Sequence, residues 1–139
     1  MASVFTMIIE GQIPGEFVWR DDRCVAFLSI NPLHDGHTQV VPRDELAHWV
    51  DLDDDHAAHL FVDARKIGKV QQDLFDPLRV GLMIVGEEVP HAHLHVVPID
   101  RVADLDFANA APGPGDDFAE IAQRLRAALA AAGHDEATA

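Results

Sequence analysis

The stretch His91-Ala92-His93-Leu94-His95-Val96-Val97-Pro98 decides the reading of this chain. Successive side chains of an extended segment point to opposite faces, so a strand over His91 to Val97 gathers the three histidines on one face. Ala92, Leu94 and Val96 take the other face, which is what a sheet needs against its core. The histidine face is costly to bury, because every imidazole nitrogen there must find a partner. One such histidine is ordinary core; three in strict alternation point to chemistry. In one reading the imidazoles hold a divalent metal, with His37 or Glu88 as a further ligand. In the other, one imidazole is a nucleophile toward phosphorus, and its neighbours set its tautomer and protonate the leaving group. Spacing alone does not choose between them.

Outward from this strand, the pattern predicts an α+β fold. Ser3 is placed to cap a short helix running to about Glu10, stopped by Gly11 and Pro14. Phe17 to Arg20 and Arg23 to Leu28 read as strands around an Asp21-Asp22 turn, and His37 to Val41 as a third strand after the Asn31–Gly36 loop. Asp51, Asp53, Asp54 and Asp55 suit the positive end of a helix reaching about Phe75, with Leu60, Ala64, Ile67 and Leu74 on one face. Arg79 to Val85 precedes the histidine strand across a Gly86-Glu87-Glu88 turn. After the Ala111-Pro112-Gly113-Pro114-Gly115 stretch, Asp117 and Glu120 resemble a capping box. Phe118, Ile121, Leu125 and Leu129 then form a core or dimer stripe ending at Gly133, and residues 134–139 read as a frayed tail. This divides the chain into a main domain over 1–110 and a C-terminal helical extension of the same domain over 111–139.

Composition narrows the partners. The 139 residues fit one domain, and 24 acidic against 10 basic residues give a formal charge of −14. That field repels nucleic acid polymers but leaves room for a small phosphorylated ligand held by local donors. No apolar run suits a membrane span, and the N-terminus lacks the pattern of a signal peptide, so a cytoplasmic protein is expected. The single cysteine, Cys24, excludes an intramolecular disulfide and a multi-cysteine zinc site, and reads as a buried, inert thiol.

The histidine stretch and its surroundings resemble the histidine triad (HIT) superfamily, whose signature is His-x-His-x-His between apolar residues. The likeness runs in order from about residue 3 to 101. It takes in Val4-Phe5 through Ile13-Pro14, Asp21-Asp22 through Leu28, Asn31-Pro32, Gly36-His37-Thr38 into Val40-Val41-Pro42-Arg43, and Glu88-Val89-Pro90 before the triad. The resemblance favours the nucleophile reading. It implies an antiparallel sheet with two main helices, a homodimer joined through sheet edges, and nucleotidyl hydrolase or transferase activity of the bacterial, Hint-like kind without a cofactor. It casts His93 as the nucleophile at the α-phosphorus, His95 as the partner of phosphate or leaving group, and His91 and His37 as orienting groups. It places Val4, Phe5, Ile8, Ile13 and Phe27 around the nucleobase.

Departures from the family pattern matter as well. Many bacterial relatives hold zinc through Cys-x-x-Cys and two histidines; here Ser3 and Thr6 take the cysteine positions and Glu45 that of one histidine. Hydroxyls are poor zinc ligands, so no bound metal is expected. The ribose-binding acid maps to Ser29, with Asn31 nearby. The phosphate loop is shortened to Gly86, Glu87 and Glu88, and a carboxylate at Glu87 repels phosphate unless turned away.

Overall fold

In the computed structural model, which describes residues 2–139, a five-stranded antiparallel sheet runs in the order β1-β2-β3-β5-β4. The strands are β1 (Phe17–Arg20), β2 (Cys24–Leu28), β3 (Thr38–Pro42), β4 (Arg79–Met83) and β5 (Leu94–Ile99). Three helices join them: α1 (Val4–Ile9), α2 (Asp54–Phe75) and α3 (Phe118–Ala131). The α+β architecture expected from the sequence is the one observed.

The two faces of the sheet are dressed differently. On one, α2 and α3 cover Val18, Ala26, Val40, Leu94 and Val96 with the stripes Leu60-Ala64-Ile67 and Ile121-Leu125-Leu129. On the other, Phe5 of α1 packs with Phe17, Val25, Phe27 and Val41. Asp53 caps α2 by accepting from the His56 amide at 2.7 Å, and Asp54 and Asp55 fill its first turn. Ser3 caps α1 by accepting from the Thr6 amide at 3.0 Å.

Three expectations need correction. First, β5 begins at Leu94, so His91 and His93 lie before the strand. Pairing with β3 ends at Val40↔Leu94 and with β4 at Met83↔His95. Upstream of these, the Ala92 amide donates to Leu46 O at 2.7 Å and the His91 amide to Val89 O at 2.8 Å. Loop contacts replace the ladder there, yet the alternation of faces survives. Second, Asp117 forms no side-chain cap and no capping box; α3 starts instead on a turn in which the Phe118 amide donates to Gly115 O. Third, residues 134–139 do not fray. His134 lies edge-on to Trp19 with ring centroids 5.4 Å apart, and Glu136 O accepts from the Arg20 amide at 2.9 Å. Ile121, Leu125 and Leu129 of α3 lie in the core, with Phe118 partly buried against it.

Candidate active site

Four imidazoles meet beside α1. His37, His91, His93 and His95 are all buried, none more than 5% exposed. His37 enters from the start of β3, where Gly36 turns the chain at φ +86° and a side chain would collide with the Phe75 ring. Gln71 of α2 braces that turn, its Nε2 donating to Gly36 O at 2.9 Å and to Val96 O at 3.0 Å. Phe5 lies edge-on to His93 at 4.8 Å between centroids and against Phe27 at 5.3 Å.

Hydrogen-bond partners assign the ring protons, since a carbonyl can only accept and an amide N–H can only donate. The Leu33 amide donates to His37 Nδ1 at 3.0 Å, so the His37 proton sits on Nε2. His37 Nε2–H then donates to His95 Nδ1 at 2.9 Å, which leaves the proton of His95 on its own Nε2. His93 Nδ1–H donates to His91 O at 2.8 Å, so His93 Nε2 carries a free lone pair. His91 Nε2–H donates to Pro42 O at 2.7 Å, and its Nδ1 accepts the Ser3 hydroxyl at 2.8 Å. Among the described residues, six of the eight ring nitrogens find partners, which leaves a nucleophilic nitrogen on His93 and an N–H donor on His95, on rings 4.7 Å apart.

The site is neutral. Burial, and then the charge His93 would carry, hold His37 down to about 4. Burial, followed by His93 and His37, holds His95 at about 3. Burial also lowers His91 and His93, against the opposing pull of the carbonyls they meet. With the rings bonded in this way, only His93 Nε2 offers a free lone pair, so a metal held by three of these imidazoles would need the network broken.

The positions where the resemblance would place zinc come together but do not fit it. Glu45 Oε1 accepts from the Ser3 amide and from the Thr6 hydroxyl, both at 2.7 Å, and Ser3 Oγ is bound to His91. Hydroxyls and one carboxylate close this corner with hydrogen bonds.

Of the remaining sequence candidates, Phe5, Ile8 and Phe27 share the apolar cluster on the histidine side of the sheet. Ile13 is half-buried and Val4 is exposed. Ser29 is buried, but its hydroxyl accepts from the Asn31 amide at 3.3 Å, while Asn31 itself is exposed. Gly86 turns at φ +74°, and Glu87 and Glu88 are exposed. Sequence reading missed Phe107, whose ring lies 5.1 Å from that of His95 on a 3-10 turn with no periodicity to mark it. It also missed Gln71, which is a helix residue like any other until the sheet comes within its reach.

Comparison with known proteins adds context to this geometry. Residues 10–102 match the HIT domain family. An uncharacterized HIT-like protein of Methanocaldococcus jannaschii is 34% identical over 99 residues, covering 68% of this chain and 77% of that protein. The adenosine 5′-monophosphoramidase of Schizosaccharomyces pombe is 28% identical over 99 residues, covering 70% of this chain and 74% of its own. A Zn-bound histidine triad family protein from Mycobacterium smegmatis superposes with a TM-score of 0.81 at 27% identity, covering 96% of both chains.

Proposed function

Because this chain belongs to the HIT (histidine triad) family, we propose that it is a cytoplasmic, Hint-like nucleotidyl hydrolase or transferase in which His93 attacks the α-phosphorus of a small nucleotide. The observation that carries this reading is the pair of uncommitted nitrogens. A lone pair on His93 Nε2 attacks phosphorus while the bond to the leaving group breaks, and His95 Nε2–H gives its proton to what departs. Water, or another acceptor, then adds to phosphorus, the P–N bond to His93 breaks, and the acceptor's proton passes to His95. His37 and His91 hold the two working rings in their tautomers. The base would rest on Phe5, Ile8, Ile13 and Phe27, with Val4 at the rim. Ser29 and Asn31 would face the ribose, and the Gly86–Glu88 turn the phosphate, with Glu87 and Glu88 directed to solvent.

The test is a kinetic comparison of alanine variants with binding measured alongside. His93→Ala should lower nucleoside phosphoramidate hydrolysis by at least about a thousandfold, yet change mononucleotide affinity by about tenfold or less. If wild type and His93→Ala hydrolyse a broad phosphoramidate panel equally slowly while both bind nucleotide, the chain is a nucleotide-binding module. The reading also includes a homodimer. β4 is an open edge bearing the exposed Leu82, and pairing it across two copies would cover it. Light scattering should then give about twice the 15.2 kDa chain mass.

A further inference from the structure

At the other end of the sheet, β1, β2 and α2 bring together a second group of reactive side chains that the triad chemistry does not use. Asp21 sits in the β1–β2 turn and Cys24 opens β2, while His59 and Asp63 lie one helical turn apart on α2. One ligand atom from each of the four lies within 4.8 Å of the others. We infer that Asp21, Cys24, His59 and Asp63 form a binding site for a divalent metal of the zinc class.

The hydrogen bonding shows what this group lacks. Asp21 is fixed: Oδ1 accepts from the Arg23 and Cys24 amides, and Oδ2 from Trp19 Nε1 at 2.9 Å. His59 Nε2 stands 2.9 Å from Asp21 Oδ2 and 3.1 Å from Asp63 Oδ2, but one N–H cannot serve both. It is directed at Asp21. Asp63, only 2% exposed, is left with an Oδ2 that has no hydrogen-bond partner among the described residues. Without an ion the carboxyl holds its proton: burial, then the hydrogen bond and charge of Asp21, push Asp63 up to about 8, and a bound cation would take that proton's place.

The donor set is one zinc takes: thiolate, imidazole and carboxylate. Tetrahedral zinc with bonds of about 2.0–2.3 Å separates its ligands by roughly 3.3–3.8 Å, so the group needs a contraction of about 1 Å. An open cleft of about 460 Å³, bordered by His59, Asp63, Lys66 and Glu136, gives the ion a way in. On binding, the Cys24 thiol gives up its proton to solvent, and His59 presents Nε2 as a lone pair with its proton on Nδ1. The bound ion ties the β1–β2 turn to α2. Cys24 is buried, as its sequence setting predicts; the proposal departs from the expectations that its thiol is inert and that no metal is bound.

The experiment titrates metal-free protein with zinc and, as a spectroscopic probe, cobalt(II). One ion per chain is expected, with a thiolate-to-cobalt charge-transfer band in the near ultraviolet that Cys24→Ala removes. Saturating zinc, at about a hundredfold excess over Kd, should raise Tm by roughly 10 °C. Asp63→Asn, which keeps the side-chain volume, and His59→Ala at the cleft rim should each abolish the stoichiometric site. His95→Ala should leave it intact. Absence of binding, absence of the thiolate band, stoichiometric binding that survives Asp63→Asn, or binding lost in His95→Ala would each overturn the inference.

Discussion

Around His93, four imidazoles are packed together without charge, whereas around His59 a single imidazole stands between two carboxylates. Both clusters are built on the same sheet and both bury nitrogen and oxygen away from water. The first closes on itself: each ring hands its proton to a carbonyl, a neighbouring ring or the site, until two nitrogens are left for chemistry. The second stays open by one hydrogen bond, with Asp63 Oδ2 unpartnered among the described residues. A closed network specifies protonation states, which a nucleophile needs; an open one specifies an ion.

Breaking the closed network should give the largest effect after loss of His93 itself. His37→Ala removes the donor to His95 Nδ1, so His95 can place its proton on either nitrogen and face the leaving group with a lone pair. Phosphoramidate hydrolysis should fall about a hundredfold, in kcat more than KM, and most for poor leaving groups. Binding of a mononucleotide, measured by calorimetry, should remain within about tenfold. An unchanged kcat for the poorest leaving groups would mean that His95 does not depend on His37 for its tautomer.

Acid probes the same network. The folded-state values of about 4 for His37 and about 3 for His95 lie below the ordinary 6.5. Between these limits the unfolded chain binds more protons than the folded one, so stability is full above about pH 6.5 and is lost as pH falls toward 4. Tm measured from pH 8 to 4 should hold level and then drop below pH 6.5. Over the upper part of that fall kcat/KM should persist, because His93 stays neutral after an exposed imidazole would have titrated. An acid limb in kcat/KM at the ordinary imidazole position would contradict a site kept neutral by burial.

Local signals carried much of the fold. The stripe on α2, the Asp53 cap and the opposed faces of His93/His95 and Leu94/Val96 depend on residues a turn or a strand apart, and those periodicities are visible in the sequence. The start of β5 was not legible, because it is set by where β3 and β4 stop pairing. Nor was the docked tail, which Trp19 and Arg20 recruit from more than a hundred residues away. The triad declared itself through its spacing. The Asp21–Cys24–His59–Asp63 group did not, because its halves are separated by the whole of β3 and become one cluster only when α2 packs on β2.

The smallest expected effect tests the corner where the closed network meets α1. The Ser3 hydroxyl has two tasks, accepting the Thr6 amide as helix cap and donating to His91 Nδ1. Ser3→Ala leaves one helix N–H without its cap and one buried ring nitrogen without a donor. Loss of a cap costs about 1 kcal/mol and loss of a buried hydrogen bond about as much again, so the variant should lose roughly 2 kcal/mol of stability by denaturant titration. His91 still donates to Pro42 O through Nε2, and His93 still donates to His91 O, so the nucleophile keeps its tautomer. Activity should therefore fall no more than about fivefold at a temperature where the variant is folded. A Ser3→Cys variant separates packing from metal chemistry at this corner. Its thiol is a weak donor to His91, and with Glu45 and Thr6 still closing the site by their own hydrogen bond, zinc should not bind there. If Ser3→Ala instead cost as much activity as His37→Ala, His91 would have to act on His93 through its orientation as strongly as His37 acts on His95, and the corner at Ser3 would belong to the working half of the site.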